Sequence, residues 1–228
     1  LNAQVQPPAG FGNNMILWLS PDSAVYKTPG TLANLGDNVT EWHDISGGGF
    51  VFTTSQGPTL ASYQGKKMLD FSGGDFLENN TIASTINGLS EFSIYIVIKS
   101  DNNDTDNGFI DSKNPNGADE ILGMRYDRSG ANTGRTKLLK CGMQGNTANN
   151  QIESQSNTQT TNLQVLTLTW KAGEKINLYI NGVLNESSVN TIGTNISNIQ
   201  KILLGKGAKN TASNSGWDGR IGTTIFYD

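Results

Sequence analysis

Eight consecutive residues, Asp101-Asn-Asn-Asp-Thr-Asp-Asn-Gly108, concentrate three carboxylates and three side-chain amides. Calcium takes about six to eight oxygen ligands, and Asp101, Asn103, Asp104 and Asp106 with backbone carbonyls can supply them. No Glu follows where an EF-hand loop needs one, so the alternative is a solvated hairpin tip. A second candidate is Ile121-Leu-Gly-Met-Arg-Tyr-Asp127. Strand alternation puts Leu122, Met124 and Tyr126 on one face and Gly123, Arg125 and Asp127 on the other. If the first set packs inward, Arg125 and Asp127 can read sugar hydroxyls, and Arg also suits uronate or sulfate bidentately. Trp217 follows the polar, glycine-containing stretch 210–216 and is a candidate for stacking on pyranose C–H faces; its alternative is packing. Arg125, Tyr126, Asp127 and Trp217 are thus the candidate ligand-binding residues.

Other chemistry is missing. His43 is the only histidine, which rules out His-pair zinc motifs; between Trp42 and Asp44 it reads as an ordinary polar or packing residue. There is no Gly-x-Ser-x-Gly elbow and no Gly-x-x-x-x-Gly-Lys phosphate loop. The formal charge is 16 minus 20, or −4, with no basic block to neutralise phosphates, which argues against a nucleic-acid partner. No apolar run approaches bilayer-spanning length, so no membrane insertion is expected. Cys141 is alone and cannot staple the chain internally.

The elements that must position these residues read as strands. Glycine and asparagine number 27 each, a composition rich in turns and poor in helix formers. Short β-like runs appear at 15–20, 50–54, 68–71, 92–99, 121–126, 137–143, 163–171, 175–180, 201–205 and 220–227. In Phe92–Lys99 almost every residue is apolar or β-branched, the pattern of a strand covered on both faces. Asn181-Gly182 is a type I′ hairpin signal. One helical turn fits around Thr81–Gly88, and Asp44, Ser46 and Gly47 read as an Asx-type turn. Residues 1–13 read as a tail or linker left after an export signal, and 14–228 as a single all-β sandwich domain.

Several segments in order resemble the laminin G-like, concanavalin A-like jelly-roll domains of secreted Bacteroidetes proteins. They are Ile16-Leu-Trp-Leu-Ser-Pro-Asp22, Val39-Thr-Glu-Trp-His-Asp-Ile-Ser-Gly47, Met68–Leu77, Phe92–Ile98, Leu178–Val183 and Trp217–Asp228. The resemblance implies a two-sheet antiparallel jelly-roll sandwich of roughly 12–14 strands that meets ligands on its concave sheet or rim loops. Arg125 and Asp127 would then line the concave face. Hydrolases of this fold use a strand-borne Glu-x-Asp-x-x-Glu triplet, and lyases a Gln-x-His segment; neither is present, and Asp119-Glu120 would point to opposite faces. The expectation is therefore a non-catalytic, lectin-like module at a bacterial surface or secreted from it. Its ligand would be a glycan or another surface polymer, with calcium a candidate cofactor. The alternatives are a protein-binding adhesion or structural module, and an enzyme with an atypical site.

Overall fold

The computed structural model describes residues 14–113, 122–130, 133–143, 151–193, 195–207 and 216–228. Residues 1–13, read above as a tail, and the Asp119-Glu120 pair lie outside them. In chain order the first strands are β1 (Met15–Leu19), β2 (Val25–Thr28), β3 (Thr31–Leu32), β4 (Glu41–His43), β5 (Val51–Thr53) and β6 (Thr59–Tyr63). Then come β7 (Lys66–Ser72), β8 (Leu77–Asn79), the single turn α1 (Ala83–Ile86), β9 (Glu91–Ser100), β10 (Gly108–Lys113) and β11 (Leu122–Ser129). The last are β12 (Thr136–Met143), β13 (Gln151–Glu153), β14 (Leu163–Lys171), β15 (Asn177–Ile180), β16 (Val183–Ser187), β17 (Lys201–Leu204) and β18 (Asp218–Tyr227).

All pairings are antiparallel, and they form two sheets. One runs β16-β15-β14-β9-β18-β7-β6, with β1 continuing beside β7 along the same edge of β18. The other runs β13-β12-β11-β10-β17-β8-β5-β4-β2-β3. This is the jelly-roll sandwich, with more strands among the described residues than the 12–14 expected. The excess comes from short pieces such as β3, β8 and β13, which carry only two or three residues each and give little periodicity to detect.

The core between the sheets follows from alternation. On β9, Phe92, Ile94, Ile96 and Ile98 point inward and are buried. They meet Leu166, Leu168 and Trp170 of β14 and Ile221 and Phe226 of β18. Burying such side chains contributes roughly 1.5–3 kcal/mol each, which is what holds the layers together. Asn181 and Gly182 take φ of 52° and 80° between β15 and β16, the left-handed pair that a type I′ turn requires. The Asp44 turn is also present. Its Oδ1 accepts from the backbone N–H of Trp18 and Ser46, both at 2.8 Å, and its Oδ2 accepts from Ser46 Oγ and Gly49 N–H. That clamp ties β1 to the chain beyond β4.

One feature departs from the sequence pattern. Strand β9 is covered on one face only, and its outward residues Tyr95 and Val97 remain open to solvent to different degrees. Its apolar outer positions are not core.

Candidate functional site

The alternation expected of β11 is realised. Leu122, Met124 and Tyr126 face the core, and Arg125 and Asp127 face outward from the ten-stranded sheet. Cross-strand register sets Arg125 beside Lys140 and Lys140 beside Glu153. Arg125 Nη2 lies 3.5 Å from Asp127 Oδ2, while Lys140 Nζ lies 3.9 Å from Asp127 and 3.6 Å from Glu153. Glu153 Oε2 also accepts from Thr133 N–H at 3.1 Å and Thr133 Oγ1 at 2.6 Å. Arg125, Lys140 and Glu153 are all buried. This face is thus a closed lattice of ion pairs whose charges engage one another, and Arg125 and Asp127 do not stand out as open sugar-reading groups.

Tyr126 and Trp217 must be corrected outright. Both are fully buried. Trp217 immediately precedes β18, and alternation from Asp218 turns it inward. There its ring meets Phe109 at 5.0 Å and Tyr126 at 5.3 Å between centroids, both edge-to-face. A ring packed on both neighbours has no face left for a sugar. The Tyr126 hydroxyl donates to Gln164 Oε1 at 2.6 Å and accepts from Thr160 N–H at 3.3 Å, and burial pushes its pKa up to about 12.

The acidic loop does not gather its carboxylates around one point. Asp101 pairs with Lys99 and, at 3.8 Å, with Arg220. Asp104 and Asp106 both turn to Arg128, at 3.4 and 3.7 Å, and Asp104 also reaches Lys137. Asn103 is exposed. Among the described residues no cluster of three or more acidic, Cys or His side chains could hold a metal ion. Ion pairs to Lys99, Arg128, Lys137 and Arg220 organise this loop.

An open site lies on the opposite side of the molecule, on the outer face of the eight-stranded sheet. A cleft of about 210 Å³ is lined by Glu91, Ser93, Thr169, Lys171, Glu174, Lys175, Asn177 and Asp228, with Phe92 and Trp170 in its wall. At about 30 Å³ per water this is roughly seven waters, the size of one sugar ring. Its floor is built by register: Ser93, Thr169 and Asn177 are successive partners across β9, β14 and β15, and the same row continues beyond the cleft to Tyr227 of β18 on one side and Ser187 of β16 on the other. Each presents a hydroxyl or amide. Asn177 Oδ1 accepts from Ser187 Oγ at 2.6 Å, whereas the hydroxyls of Ser93 and Thr169 have no side-chain hydrogen bond among the described residues. The rim holds a Glu91–Lys171 pair at 3.5 Å. Gly173, at φ +84°, lets the tight turn after β14 bring Glu174 and Lys175 back to the same rim.

Sequence reasoning passed over these residues. Each is a single small polar position in an unremarkable strand, and only cross-strand register brings them side by side. The available signal is the outward Ser93 and Tyr95 of β9, in a strand whose composition reads as covered on both faces.

A family model described as the concanavalin A-like lectin/glucanases superfamily matches residues 71–228. No curated protein matches the chain. Among solved structures, the binding domain of botulinum neurotoxin DC in complex with rat synaptotagmin II superposes with a TM-score of 0.62 at 15% identity, covering 96% of this chain and 49% of that one. Domain 4 of AbnA, a GH43 extracellular arabinanase from Geobacillus stearothermophilus in complex with arabinotriose, superposes at 0.57 with 16% identity, covering 94% and 92%. Trypanosoma rangeli sialidase superposes at 0.59 with 14% identity, covering 97% and 31%. The chain spans about half the length of the neurotoxin binding domains it matches. At these identities the likeness is one of fold.

Proposed function

The chain belongs to the concanavalin A-like lectin/glucanase superfamily, and from that premise we propose that it is a non-catalytic carbohydrate-binding module, displayed outside the cell as part of an exported protein. The cleft over Ser93, Thr169 and Asn177 carries this reading. Sugar hydroxyls need neighbouring donors and acceptors, and hydroxyl and amide side chains supply both. The aromatic Tyr95 and Tyr227 beside the cleft offer the apolar surface that sugar C–H faces need. The arabinotriose complex of the arabinanase domain is consistent with sugar binding on this fold.

The acids at the cleft favour a non-catalytic role. A glycosidase general acid needs an enclosed, apolar setting to keep its proton. Glu91, Glu174 and Asp228 are exposed at the cleft rim, and Asp127 and Glu153 are held by Lys140.

The test is a glycan array on the purified chain, followed by titration calorimetry on the hits with Thr169→Arg. The arginine fills the cleft from a half-exposed strand position and leaves the fold intact. Loss of binding at unchanged melting temperature supports the cleft. Silence of the folded wild type across neutral and acidic glycans overturns the proposal. A protein partner is the second reading, favoured by one observation: Val183, Leu184 and Val189 are 70%, 53% and 77% exposed around the β15–β16 hairpin.

A further inference from the structure

Resting on that reading, we infer that the ligand is an uncharged oligosaccharide chain that runs out of the cleft along β9 and over Tyr95, not a single terminal sugar. The next row of the sheet beyond the cleft floor is Ile225, Tyr95, Thr167, Tyr179 and Leu184, again successive partners across β18, β9, β14, β15 and β16. Its outer end is Trp18 of β1, paired with Ile225. Hydroxyls and amides therefore line one row and apolar or aromatic side chains the adjoining one.

Along β9 the two rows are two residues apart, about 7 Å at the rise of an extended strand. That is the scale of one sugar ring in a linear chain, so a ring seated over Ser93 places its neighbour over Tyr95. Tyr95 is 39% exposed in the centre of the sheet. It is held from the side by Tyr227, whose ring stands edge-on at 5.8 Å and 88°. Burial and the nearby Tyr95 both push the Tyr227 hydroxyl above its ordinary range, in keeping with two crowded phenols. A ring fixed in this way is a preorganised stacking surface.

The charge pattern selects the class of chain. At the rim Lys171 is paired with Glu91, Lys175 stands beside Glu174, and Asp228 leaves the balance slightly negative. Both rows are free of charged side chains. Sulfated or uronate chains would meet a rim whose three carboxylates outnumber its two ammonium groups, whereas a neutral pentose or hexose chain meets complementary surface throughout.

The experiment measures affinity for neutral linear xylo-, gluco- and arabino-oligosaccharides of one to six units, by calorimetry for the long members and by NMR titration for the short ones. Stacking on one aromatic ring is worth about tenfold in affinity. For the bound series, affinity rises about tenfold between the monosaccharide and the trisaccharide. Tyr95→Ala removes that rise and leaves monosaccharide affinity unchanged, Tyr95→Phe retains it, and Thr169→Arg removes both. Tyr95→Thr, a good strand former, guards against a folding defect. Affinity that is flat with chain length, or indifferent to Tyr95→Ala, overturns this inference and leaves the cleft reading standing. Absence of binding for every length overturns both. Dissociation of a wild-type dimer by Tyr95→Ala would assign this row to self-association and overturn the inference too.

Discussion

The Trp217 ring stands edge-on to Tyr126, 5.3 Å between centroids at 75°, deep between the two sheets. One residue comes from the approach to the last strand and the other from the middle of the ten-stranded sheet. Their contact, with Phe109 against both rings, turns two candidate sugar-stacking residues into a seam joining the sheets.

Trp217→Ala therefore acts on stability. Removing a fully buried indole leaves a cavity, and the loss is about 3–5 kcal/mol in chemical denaturation. Trp217→Phe, which keeps the edge-to-face partners, costs less and leaves glycan binding at the wild-type level. Loss of glycan binding by a stably folded Trp217→Phe would restore the ring to the site.

Tyr126 makes the fold sensitive to alkali. It stays neutral in the folded state up to about pH 12, while an unfolded tyrosine ionises near its ordinary value of 10.0. Its contribution is fully present below pH 10 and is lost as pH rises towards 12. The two-unit difference corresponds to about 3 kcal/mol. Unfolding titrations at stepped pH should show this decline in the wild type and a matching part of it missing in Tyr126→Phe.

Lys140 is the hinge of the buried ion lattice. Replacing it with Met leaves Asp127 and Glu153 without the cation between them, at a cost of about 3–5 kcal/mol. Adding Glu153→Gln to Lys140→Met should recover part of the loss. A Lys140→Met protein as stable as wild type would mean that the lattice is energetically silent.

Calcium should leave the domain indifferent. Asp101, Asp104 and Asp106 are spread among Lys99, Arg128, Lys137 and Arg220, so a divalent ion would have to displace several ion pairs. We expect the same melting temperature in millimolar calcium and in chelator. A rise of several degrees with calcium would show that the loop can reorganise into a site.

Much of the architecture was legible from local rules. Alternation assigned the inward and outward faces of β11, Asn181-Gly182 specified its hairpin, and Asp44 formed its turn with Ser46 as its position predicted. Each depends on a residue and its immediate neighbours, because backbone dihedrals and side-chain direction are set over a few residues. What covers an outward face is a different matter. The sequence of β9 reads as apolar on both sides, yet only the tertiary packing decides that Phe92, Ile94, Ile96 and Ile98 are covered while Tyr95 is left open. Trp217 follows a polar stretch, yet the strand pairing of β18 turns it into the core. The hydroxyl floor of Ser93, Thr169 and Asn177 is a product of register between strands far apart in the chain, where a slip of one residue would send all three side chains to the other face. The sequence alone determined most of the longer strands and the turns at Asp44 and Asn181-Gly182. The tertiary structure decided which sides meet each other and which meet a ligand, since burial depends on partners that no local pattern names.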